Sequence, residues 1–135
     1  MPHIHRGGVN VYYESYGEGI PLVFLHPFST NGYIWYFQTF KFAQDFQCIV
    51  VDHRGHGRSD KPESGYSIEE MAADVAAVLD ATDNDAAILV GNSIGGMIAR
   101  YAVQVEGAAD RVRGVITIGA PHRGTPTAIA GLALG

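Results

Sequence analysis

Ala86-Ala87-Ile88-Leu89-Val90-Gly91-Asn92-Ser93-Ile94-Gly95-Gly96 decides how this chain reads. The apolar run 86–90 predicts a buried strand, and the pattern from Ile94 to about Gln104 predicts a helix. Between them a serine stands with glycine two positions to either side, the G-x-S-x-G pattern of a strand-to-helix turn that presents a nucleophile. Such a turn drives its central residue into a strained backbone conformation, and bulk at 91 or 95 would strike neighbouring backbone. The Ser93 hydroxyl would then stand above the sheet edge beside the Ile94 amide, where a helix N-terminus favours developing negative charge. The same residues also fit a plain glycine-rich turn with Ser93 as an ordinary N-cap.

Outward from that turn, the other strands announce themselves as apolar runs. Residues 21–25 form a continuous apolar run, as a strand buried on both faces of a parallel sheet does, and 47–51 and 112–118 read as further apolar strands. Residues 3–6 and 9–16 flank Gly7-Gly8, a pair suited to a tight hairpin, with Val9, Val11 and Tyr13 alternating against Asn10, Tyr12 and Glu14. Ser67-Ile68-Glu69-Glu70 forms a capping box, and the helix behind it sets Met71, Val75, Val78 and Leu79 on one core-facing side. An aromatic helix is predicted over 33–43; Trp35, Tyr36, Phe37, Phe40 and Phe42 cannot share one side, and most are expected in the core or a pocket wall. Thr125-Pro126 has the form of an N-cap and first helical position, followed by only nine residues. Strands alternating with helices imply an α/β fold, a mostly parallel six-stranded sheet with helices on both faces.

Composition narrows the function. At 135 residues the chain holds at most one domain, 1–135, and its formal charge of −5 offers no footprint for nucleic acid. No apolar run reaches membrane-spanning length and no secretory h-region opens the chain, so a cytoplasmic location is the default expectation. The single cysteine, Cys48, lies in an apolar strand and reads as a buried, inert thiol. The loop Asp52-His53-Arg54-Gly55-His56-Gly57-Arg58-Ser59 lacks both the lysine of a phosphate loop and the spacing of helical metal ligands. It reads as a rigid turn in which Asp52 and Arg54 satisfy backbone groups. No metal or cofactor is implied.

Three loops, His26-Pro27-Phe28, Asp52 to Ser59 and the turn at Ser93, resemble in order and spacing those of the α/β-hydrolase fold family, in its serine esterase, lactonase and C–C hydrolase branch. The likeness runs from the first hairpin to the strand before Pro121. It implies that Ser93 is a nucleophile for a small-molecule ester or related acyl substrate, with the backbone amides of Phe28 and Ile94 as the oxyanion hole. Gly91 and Gly95 would be the elbow glycines, and His26 would shape its loop without acting as base. Asn92 is similar to C–C bond hydrolases at that position, and Pro121-His122-Arg123-Gly124 to lipases.

The resemblance also implies an acid and a histidine base beyond the sixth strand, and these have no matching positions here. Three expectations follow: a hydrolase that lacks its C-terminal strands; a working chain with His122 as substitute base, unless that histidine merely bonds loop backbone; or a binding-only remnant. A missing seventh strand would leave 112–118 as an open edge prone to self-association.

Overall fold

The computed structural model describes residues 2–105 and 108–120. Six strands form one sheet: β1 (His3–Arg6), β2 (Val9–Tyr16), β3 (Pro21–Leu25), β4 (Gln47–Val51), β5 (Ala87–Asn92) and β6 (Val112–Ile118). Their spatial order is β1-β2-β4-β3-β5-β6. The β1–β2 and β2–β4 pairs are antiparallel and the remaining three are parallel. The predicted α/β class is thus observed. The hairpin turn at Gly7-Gly8 takes φ of 57° and 79°, a backbone that strains side chains with a Cβ.

Three helices connect the strands: α1 (Tyr36–Phe42), α2 (Ile68–Ala81) and α3 (Ile94–Ala102). One face of the sheet packs α2 and α3 into the main core, where Val23, Leu25, Ile49, Val51, Met71, Val75, Val78, Leu79, Leu89 and Ile98 are wholly buried. Each such side chain contributes about 1.5–3 kcal/mol on burial. Cys48 is buried in the smaller core on the other face, with its thiol pKa pushed up by burial.

The capping box at the start of α2 is half made. The Glu70 amide donates to Ser67 Oγ at 3.1 Å, but the Glu70 carboxylate turns away to Arg6. The aromatic segment departs further from expectation. It splits into a 3₁₀ turn (Gly32–Trp35) and the short α1, and only Trp35 enters the core, against Phe24. Tyr36, Phe37 and Phe40 are exposed. Trp35 in the core and Tyr36 and Phe40 on the wall of a cavity match the expected core or pocket-wall roles, while the helix itself is shorter than the 33–43 predicted.

Candidate active site

β5 delivers the turn. Leu25 of β3 lies in register with Gly91 of β5, so the loop after β3 and the turn after β5 leave the sheet side by side. Ser93 sits at φ 56°, ψ −121°, one of three non-glycine residues with positive φ among the described residues. Its side chain makes no capping bond to α3, which removes the N-cap alternative. Its amide is anchored instead on the Ile118 carbonyl of β6 at 2.8 Å. Backbone strain of this kind persists only where the surrounding structure holds it in place.

The glycines on either side are dictated by space. A Cβ on Gly91 would overlap the backbone of Gly95 and Gly96, and one on Gly95 would overlap the carbonyl of Leu25 and lie 2.9 Å from that of His26. Gly96, which the sequence pattern did not single out, is equally confined, with Ala120 Cβ 2.6 Å away. Close approach at Gly95 seats the first turn of α3 directly on the end of β3. Ile94, first residue of α3, has no intrahelical acceptor for its N–H.

The loop after β3 is held by histidines. His26 is buried, accepts the His53 amide at Nε2 (3.0 Å) and has Nδ1 2.6 Å from the Pro27 carbonyl. An amide can only donate and a carbonyl can only accept, so the proton sits on Nδ1. His53 Nε2 donates in turn to the His26 carbonyl at 3.1 Å. Burial pushes His26 down to about 4 and His53 well below the ordinary histidine range, so both are neutral. His56 accepts the Ser29 amide at Nε2 (3.1 Å), donates from Nδ1 to the Arg54 carbonyl (3.0 Å) and stacks on the Phe28 ring. The roles of His53 and His56 were not visible in the sequence, though two histidines beside a tight Gly-x-Gly turn could have suggested backbone partners.

Asp52 behaves as expected of a rigid turn, accepting the Gly32 amide at 2.7 Å and the Arg58 amide at 3.0 Å. Arg54 bonds the Gly65 carbonyl, but its main partner is the buried Asp74 of α2, at 2.7 and 2.9 Å. Asp74 lies three residues beyond Met71, on the buried side of α2; a carboxylate in that position is the signal that a cation must meet it. His122 lies outside the described residues, as do Pro121, Arg123, Gly124 and the predicted helix from Thr125. A cavity of about 510 Å³ opens against α1, lined by Tyr12, Glu14, Tyr33, Tyr36, Phe40 and Arg58 among others. Ser93 does not line it, so it is distinct from the site at the turn.

Comparison with known proteins now bears on this geometry. Residues 20–132 match the alpha/beta hydrolase fold family. The chain belongs to the α/β-hydrolase family. Among its relatives, a non-heme chloroperoxidase of Streptomyces lividans is 39% identical over 103 residues, 73% of this chain and 37% of that protein. The structure of Est816, described as an N-acyl homoserine lactone degrading enzyme, superimposes with a TM-score of 0.85 at 56% identity, covering 98% of this chain and 52% of that one. An esterase from Exiguobacterium antarcticum gives a TM-score of 0.83 at 32% identity, over 89% of this chain and 45% of that one. This α/β-hydrolase chain therefore spans roughly two-fifths to one-half the length of these three proteins.

Proposed function

We propose that this chain carries the nucleophile and oxyanion-hole half of a serine hydrolase for carboxylic esters or related acyl bonds. One observation carries the reading: Ser93 holds φ at 56° while its hydroxyl leaves the helix uncapped. The hydroxyl would attack the carbonyl carbon, and the Ile94 and Phe28 amides would hold the oxyanion as the C=O bond opens. A base must take the serine proton and return it to the leaving group. His122 is the candidate for that role within the sequence. Membership in a family with esterase and lactonase relatives supports an acyl substrate.

A binding-only protein is the second reading, and the histidine assignments favour it. His26, His53 and His56 all spend ring nitrogens on backbone groups, which counts against each of the three as the base. Turnover of p-nitrophenyl acetate by the purified chain separates the two. The first reading expects Ser93→Ala to abolish turnover and His122→Ala to lower it. Equal rates in the parent and Ser93→Ala proteins would leave the binding-only reading standing.

A further inference from the structure

We propose that His56 is a positioning residue for the oxyanion donor, steadying from the neighbouring loop the Phe28 N–H that His26 and Thr30 aim; the inference rests on the hydrolase reading above. Phe28 lies between two peptide planes, and each is gripped from outside. The first joins Pro27 to Phe28 and carries the Phe28 N–H. Its carbonyl oxygen, that of Pro27, takes His26 Nδ1–H at 2.6 Å and Thr30 Oγ–H at 2.9 Å. In a planar trans peptide the C=O and N–H point opposite ways, so holding the oxygen aims the hydrogen.

The second plane joins Phe28 to Ser29. Its N–H is the one donated to His56 Nε2 at 3.1 Å. Ser29 itself stands at φ 64°, a left-handed conformation that a serine does not keep without support. His56 supplies that support twice over. Its ring stacks on Phe28 with centroids 5.8 Å apart and planes inclined by 21°, and its Nε2 receives the strained amide. The imidazole is itself fixed, since Nδ1 is committed to the Arg54 carbonyl at 3.0 Å and the ring lies 5.1 Å from that of His26.

Removing His56 takes away the Ser29 acceptor and the stack on Phe28 together, so Phe28 is held from the Pro27 side alone and its amide is less firmly aimed at the developing charge. Ground-state binding changes little, because the amide is needed most when the oxyanion forms. The effect should therefore fall on kcat. Glutamine can place an acceptor oxygen near the position of Nε2; leucine cannot.

The test compares His56→Leu and His56→Gln in the full chain, by p-nitrophenyl acetate kinetics and by hydrogen exchange of the Ser29 amide measured by NMR. The expected result is a kcat about 10- to 100-fold lower in His56→Leu with KM within about twofold, and recovery to within about threefold of the parent in His56→Gln. Ser29 exchange should quicken at least about tenfold in His56→Leu alone, as a lost acceptor requires. Equal impairment of both variants, or Ser29 exchange unchanged in His56→Leu, would overturn the proposal. Should Ser93→Ala turn over ester as fast as the parent, the hydrolase reading falls by itself, and the exchange comparison still decides whether His56 holds the loop.

Discussion

β3 and β6 flank the same strand, both run parallel to it, and both are apolar in sequence, yet they live in different surroundings. Every residue of β3 is buried. On β6, Ile116 and Ile118 remain half exposed, at 52% and 50%. A methyl group at Gly95 would run into the end of β3, whereas one at Gly114 of β6 would meet nothing within 4 Å. The difference lies in neighbours. β3 has strands on both sides and helices on both faces; β6, among the described residues, pairs only with β5 and packs α3 through Val115 and Thr117. An apolar run thus specifies a strand without specifying how much of it will be covered.

The sharpest way to break this contrast is truncation on either side of β5. Leu25→Ala, in wholly buried surroundings, should lower unfolding free energy in urea by about 2–5 kcal/mol. Ile118→Ala should cost less than about 1 kcal/mol, since water already reaches half of it. Similar losses at the two positions would mean that β6 is covered in solution.

Acid offers a second handle, because β3 ends in His26 and its partner His53. Both have depressed pKa values in the fold and titrate near about 6.5 when unfolded, so below that pH the unfolded chain binds more protons. Stability should be whole above about pH 6.5 and fall as pH drops toward 4, with His26 alone accounting for about 3 kcal/mol. Urea titrations at pH 7 and pH 4.5 would show the decline, and His26→Gln should make it shallower, with His53 accounting for what remains.

The smallest effect concerns association. Ile116 stands half bare on β6, which among the described residues pairs only with β5, and that strand is expected to pair with a second copy of the chain. Ile116→Lys should raise the concentration at which light scattering detects assemblies by about tenfold, some 1.4 kcal/mol. A monomeric parent protein at high concentration would remove this expectation.

Much of the architecture was legible because each strand is a short apolar run closed by turn residues, and because Met71, Val75, Val78 and Leu79 mark one side of a helix. All four are wholly buried. The turn at Ser93 was legible for a different reason: glycine at 91 and 95 is forced by backbone contact, and that constraint is written in the residues themselves. What escaped depends on partners distant in sequence. Nothing adjacent to Phe37 or Phe40 says that both stay in water, and nothing near His56 says that it holds Ser29. Strand order escaped likewise, since β4 inserts between β2 and β3 through pairings that no local pattern encodes.

Asp74 gives the molecule an unexpected mechanical character. This one buried carboxylate receives Arg54 from the loop after β4 and Arg6 from β1, and Arg6 reaches on to the carbonyl and carboxylate of Glu70. Stripping β1 from the rest of the fold would therefore demand rupture of a charged rivet to α2 as well as of its ladder with β2.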